Sequence, residues 1–187
     1  MSAVESYDRK LLLENAAERA IDLAEYSAIN NGKDIPVGAI ALFGAAIAGS
    51  GYAMDGESGI QHMHAEIVSL EQAMHTPDTV VTTMEPCEQC QDRMAEIESI
   101  KTVAYVTPRT ELSDRLLVNP RPSINERIAR YELPYRVIRL SNPALLQRAL
   151  EPLEFTSRDL LTGTTDVDSE GFRIYRDARN LRDIGQS

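Results

Sequence analysis

The chain has no tryptophan, only three histidines and only two cysteines among its 187 residues, and each scarcity excludes something. Two cysteines cannot build the disulfide framework of a small secreted domain. No apolar run approaches the ~18 residues that span a bilayer, so no membrane partner is expected. The opening stretch, MSAVESYDRK, lacks a basic region followed by an apolar one, and no secretory leader is expected. Together these point to a reducing, cytoplasmic setting. Excess positive charge is missing too: the net charge is −10, a poor default for contacting a phosphate backbone.

The acidity is uneven. Residues 1–108 carry 6 basic and 17 acidic groups, whereas residues 109–148 carry 8 arginines and 4 acidic groups. The arginine-bearing stretch keeps a nucleic-acid partner open but not favoured, since a solvated, salt-bridged surface is the plainer reading. The length suits one domain with a tail. The domain is expected over residues 1–153. Residues 154–187 are expected to form a charged C-terminal extension, with 12 of its 34 residues charged and TGTTDVDSEG reading as a loop.

Hydrophobic spacing orders the elements. Residues 7–30 carry an apolar stripe through Leu13, Ala17, Ile21 and Ala24, which predicts an amphipathic helix. PVGAIALF (36–43) and AAIAGSGY (45–52), joined at Gly44, predict a hairpin. Ile67, Leu70 and Met74 are spaced as on a helix. TVVTTM (79–84) and TVAYV (102–106) read as buried strands, with a helix from Cys87 to about Glu98 between them. Ser123 and Glu126 form a capping box for a helix toward Tyr131. YRVIRL (135–140) reads as a strand and PALLQRAL (143–150) as a closing helix. Short apolar strands alternating with helices predict an α/β fold, one sheet covered on both faces. Met63, Met74 and Met94 read as core filler, and His62 and His75 as surface or loop residues.

Both cysteines fall in one stretch, MEPCEQC (84–90), downstream of HMHAEIVSL (62–70). Two thiolates at C-x-x-C spacing and one imidazole are a good donor set for zinc. Pro86 suits a helix start, where backbone amides stabilise a thiolate at Cys87, and His64 sits at a second predicted start. Two such starts facing each other would gather His64, Cys87 and Cys90 and leave a fourth position open. Two thiolates cancel the +2 charge of zinc and weaken it as an acid toward water. A nearby proton acceptor is then needed, and Glu66, two residues from His64, is placed to accept a proton and pass it to a leaving group. A C-x-x-C pair alone also suits a redox couple or, with His62 as an extra ligand, a structural zinc; neither has a use for Glu66.

His64-Ala65-Glu66 with Pro86-Cys87-Glu88-Gln89-Cys90 resembles the zinc-dependent cytidine and nucleobase deaminase superfamily, whose signature is H-x-E…P-C-x-x-C. IPVGAIAL, HAEIVSL and TMEPCEQC are most similar to the branch of tRNA adenosine, guanine and cytosine deaminases. The resemblance covers about residues 8–107. It implies a three-layer α-β-α sandwich around a mixed five-stranded sheet, and a homodimer. It also implies Zn2+ held by His64, Cys87 and Cys90, with Glu66 as catalytic proton shuttle and the Ala65 N–H facing the substrate. The implied substrate is a small amino-heterocycle, with a tRNA adenosine as the alternative and an inactive zinc-binding module as a more remote one. The branch has an asparagine in a Gly-aromatic-Asn context that helps hold the base. Here the context is Gly51-Tyr52-Ala53, so Tyr52 and the position of Ala53 become the candidate substrate contacts. The 23-residue step from His64 to Cys87 is also shorter than in the tRNA enzymes. Arg109 and Arg115, after the fourth strand, lie where α/β sheets open toward ligands.

Overall fold

Five short segments, most of them continuously buried, pair into one mixed sheet. A computed structural model describes residues 3–31, 35–54, 63–109, 124–130 and 133–162. Strands β1 (Gly38–Phe43) and β2 (Ala46–Tyr52) form the expected antiparallel hairpin, closed at Gly44, whose φ of 60° is one that side-chain-bearing residues seldom adopt. The Gly44 N–H is anchored on Asp78 Oδ2 at 2.7 Å. A register shift between Ala41 and Leu42 bends the hairpin. Strand β3 (Thr79–Met84) runs antiparallel to β1, and β4 (Thr102–Thr107) and β5 (Arg136–Arg139) follow in parallel, giving the order β2-β1-β3-β4-β5.

Helices α1 (Ala3–Asn31) and α5 (Pro143–Thr162) cover one face. Their stripe of Leu13, Ala17, Ile21, Leu145 and Ala149 packs on Ile40, Leu42, Val81, Ala104 and Val106. Helices α2 (Ala65–Glu71), α3 (Glu88–Ala95) and α4 (Ile124–Ala129) belong to the opposite face, where Cys90, Met94 and Ile124 meet Val80, Val103 and Tyr105. The expected sandwich is therefore the observed one, element for element. Among the described residues no helix is long and apolar enough to cross a membrane.

Two helices end elsewhere than the sequence reading put them. The helix through Ile67 and Leu70 ends at Glu71 and does not reach Met74. Met74 instead gives its N–H to the Ala48 carbonyl at 3.0 Å, which turns the chain back over β2 and leaves the side chain 85% exposed, so it is not core filler. Met94 is fully buried as expected, and His75 rests on exposed Phe43 with ring centroids 5.9 Å apart. The start of α4 takes a partner from elsewhere: Ile124 N–H donates to Glu85 Oε1 at 2.7 Å, while Ser123 lies outside the described residues. Finally, α5 continues through residue 153 to Thr162; residues 163–187, most of the expected extension, lie outside the described residues.

Helix α2 lies so close on β2 that the strand must present glycine. A Cβ at Gly51 would sit 2.6 Å from Ser69 N and 2.7 Å from Ala65 O, and one at Gly49 would run into Ser69 O. Gly51→Ala is expected to destabilise the fold by ~1–3 kcal/mol, the usual range for overpacking. Because α2 begins at His64, the same change should loosen the metal site. Denaturant unfolding of the metal-loaded protein checks this; a midpoint equal to wild type would show that the helix can lift off freely.

Candidate metal centre

Strand β2 hands the chain to the site. The Ala53 N–H bonds Val37 O and the Met54 N–H bonds Met63 O, both at 2.9 Å, and Ser27 Oγ donates to Ala53 O at 3.3 Å. These ties deliver His64 as the N-cap of α2, with extended backbone (φ −69°, ψ 151°). Cys87 is the N-cap of α3 with nearly the same conformation (φ −69°, ψ 163°), and its sulfur accepts from the Cys90 N–H at 3.5 Å. The two helix starts face each other as the spacing predicted. His64 Nδ1 lies 3.2 Å from Cys87 Sγ and 3.2 Å from Cys90 Sγ. The cysteines are free thiols, and the three donor atoms all lie within 4.8 Å of one another.

Glu66, on the first turn of α2, is almost fully buried beside this triangle. Its Oε2 accepts from Cys90 Sγ at 3.6 Å, and its Oε1 from Thr82 Oγ1 at 3.5 Å, the long limit for such a bond. Burial raises its pKa above the ordinary carboxylate value, and a negative Cys87 adds to that, partly offset by its own backbone N–H and by His64. Hydrogen bonding from the Cys90 thiol, and then from His64, pulls Cys87 well below the usual thiol range against the opposing effect of burial. Cys90 moves the other way, because it gives its proton to that shared bond and because burial and Glu66 disfavour a second anion.

Two sulfurs and one imidazole nitrogen thus converge within 4.8 Å of one another. That is the chemistry of a site for a divalent ion, and the spacing agrees. Donors about 2.0–2.3 Å from one zinc ion lie ~3.5 Å apart in a tetrahedral arrangement. His64, Cys87 and Cys90 thus fit zinc.

Other expected residues are placed less directly. Ala65 is buried as the first residue of α2, where a backbone N–H has no acceptor within the helix. Tyr52 is half-buried, with its ring centroid 5.4 Å from that of Tyr26. Ala53 is buried with both backbone groups engaged, so only its methyl is free to face a ligand. Arg109 N–H donates to Glu85 Oε2 at 2.9 Å, while His62 and Arg115 lie outside the described residues. Sequence reasoning missed Thr82, although period-two alternation in TVVTTM puts it on the same face as Val80. It also missed Glu85, Gln91 and Arg127, whose partners come from distant segments.

Residues 12–107, more than half of the chain, match the cytidine and deoxycytidylate deaminase zinc-binding region. The chain belongs to that family. No curated protein matches the sequence, but solved structures share the fold. A diaminohydroxyphosphoribosylaminopyrimidine deaminase/5-amino-6-(5-phosphoribosylamino)uracil reductase from Thermotoga maritima is 23% identical, with a TM-score of 0.59 over 83% of this chain. This chain spans only 43% of that protein's length. NE0047, solved in complex with 2,6-diaminopurine, is 17% identical with a TM-score of 0.62, covering 78% of this chain and 82% of its own. A structure from a study of A-to-I editing by tRNA:A34 deaminases is 17% identical with a TM-score of 0.50, covering 67% of this chain and 97% of its own. At these identities the likeness is one of fold.

With two thiolates required for tight binding, Cys87→Ser and Cys90→Ser should each purify with well below one zinc per chain. Thermal stability should fall with the metal, because binding free energy contributes to folding. Elemental analysis beside a melting curve tests both points, and stoichiometric zinc in either variant would remove that cysteine from the ligand set.

Proposed function

We propose that this protein is a zinc-dependent hydrolytic deaminase of an amino-substituted nucleobase, nucleoside or related small heterocycle, releasing ammonia. The observation that carries the reading is the buried Glu66 carboxylate, which lies 3.6 Å from Cys90 Sγ at the edge of the donor triangle. A structural metal site has no use for an acid there, since a buried carboxylate with so few hydrogen-bond donors destabilises the fold. When bound, zinc supplies Lewis acidity toward an attacking water molecule.

The rest is work for the chain's own groups. Glu66, its pKa raised by burial, accepts the proton of the attacking water at one carboxylate oxygen and returns it to the departing amine. Thr82 holds the other oxygen toward the sheet. Ala65 offers its N–H at the start of α2 to a ring nitrogen or carbonyl. The Ala53 methyl stands where a recognition amide would otherwise be, which leaves room for ring shapes that an amide would reject, while Tyr52 rests on Tyr26 on the α1 side of the sheet.

A small substrate is favoured over an RNA loop by the fate of the arginines. Arg127 is 8% exposed and bound to Gln91 and Asp92, and Arg148 pairs with Asp22 and lies 3.8 Å from Glu25. Arg136 and Arg139 line a cleft of about 370 Å³ with Arg9 and Lys10 along the outer strand β5, whereas the cysteines follow the carboxyl end of β3, two strands away. Among the described residues these arginines do not form a track toward the donor triangle. The homodimer and the cytoplasmic setting expected above accompany this reading.

Two measurements test it. Glu66→Ala should retain zinc and fold but lose turnover by ~10²–10⁴-fold, the usual contribution of a general acid–base group. Near-normal turnover in that variant would remove Glu66 as the proton shuttle. Ammonia release should occur with at least one free base or nucleoside, and a tRNA anticodon stem-loop should react little at physiological salt. Efficient conversion of adenosine to inosine in that RNA, with small amino-heterocycles inert, would reverse the substrate assignment.

A further inference from the structure

The turn that carries both cysteines is gripped from outside by α4. Arg127, buried beneath that helix, donates from Nη1 to Gln91 Oε1 at 3.0 Å and to the Glu88 carbonyl at 3.3 Å. Its Nη2 donates to Asp92 Oδ1 at 2.6 Å. Gln91 is fully buried, and its Nε2 donates to the carbonyl of Pro86, the residue immediately before Cys87, at 2.8 Å. The Gln91 N–H bonds the Cys87 carbonyl at 2.9 Å, and the Gln91 carbonyl accepts the Tyr135 hydroxyl at 3.2 Å. A second tie comes from Glu85, whose two oxygens take the N–H groups of Ile124 and Arg109. Glu85, Glu88, Gln91 and Asp92 are thus each bonded to a segment outside the cysteine turn.

The direction of one bond depends on the arginine. A buried amide can be turned either way, but a guanidinium has donors only, so Arg127 requires the oxygen of Gln91 to face it. The Gln91 NH₂ is thereby aimed at Pro86 O. Turning the amide over would set its NH₂ against the guanidinium, donor facing donor, and would take the bond from Pro86 O.

We propose that Arg127 is a positioning residue for the metal centre, acting through Gln91 to fix the Pro86–Cys90 turn in the geometry that holds the ion. This rests on the three metal ligands and not on the choice of substrate. Groups that orient ligands without touching the ion typically change metal affinity by ~10–100-fold when altered.

The test uses the full-length, zinc-loaded protein, with the rate of zinc release to a chelator and the thiolate-to-metal absorption of the cobalt-substituted protein as readouts. Gln91→Glu keeps the size and can still pair with Arg127, but it has no donor for Pro86 O. Arg127→Lys keeps the charge and loses the fork. Both should release zinc ~10-fold or more faster and shift the cobalt band. Arg93→Ala, on the same helix but paired at the surface with Glu96, should behave as wild type. Because the arginine acts through the glutamine, the double variant Gln91→Glu/Arg127→Lys should release zinc no faster than Gln91→Glu alone. Wild-type release and an unshifted cobalt band in Gln91→Glu overturn the proposal even if melting temperature falls. So do effects of the two substitutions that multiply.

Discussion

Four ionisable side chains converge at one place, Glu66 and Cys90 buried and His64 and Cys87 half-buried, and the two cysteines are driven apart in proton affinity by their proximity. In a low-dielectric interior such a cluster is tolerable only if protons are shared or a cation is added. The three-donor triangle with a divalent ion resolves that conflict, and it leaves Glu66 beside the ion without a ligand's duty. Burial also raises the proton affinity of Glu66, which is what the proposed role of proton shuttle asks of it.

The rest of the fold can be read as the means of bringing two helix starts together. Antiparallel pairing of β1 with β3 places the end of the β1–β2 hairpin beside the carboxyl end of β3. His64 is then delivered from one direction and Cys87 from the other. Close packing of α2 on the glycines of β2 sets the depth of the first helix, and α4 holds the second through Glu85, Gln91 and Arg127. The two sides use different physics. One is steric contact against bare backbone, and the other is a buried, charge-assisted network with its donors occupied.

Charge is handled with similar economy. An acidic chain with an arginine-bearing segment invites a nucleic-acid reading, yet Arg127 is buried against α3 and Arg148 is paired at the surface with Asp22 of α1. Charge composition is a statement about the whole surface. What matters for a substrate is the field at the entrance to the site, and that depends on where each guanidinium is spent.

Short-range patterns were legible in the chain. Period-two and period-3.6 spacing marked the strands and helices, Gly44 marked the hairpin turn, and HAE with PCEQC marked the donors, because each of these signals lies within a few consecutive residues. Met74 misled because helical spacing persists for one residue type beyond the point where the chain turns back to bond β2. Thr82, Glu85, Gln91 and Arg127 left no comparable signal, since their partners lie 16 to 39 residues away. Spacing along a chain records which face of an element a side chain shares with its neighbours; it carries nothing about which distant element will cover that face. The donor residues could therefore be named from the sequence, whereas their meeting was decided by the tertiary structure, because pairing of β1 with β3 brings two helix starts 23 residues apart into one triangle.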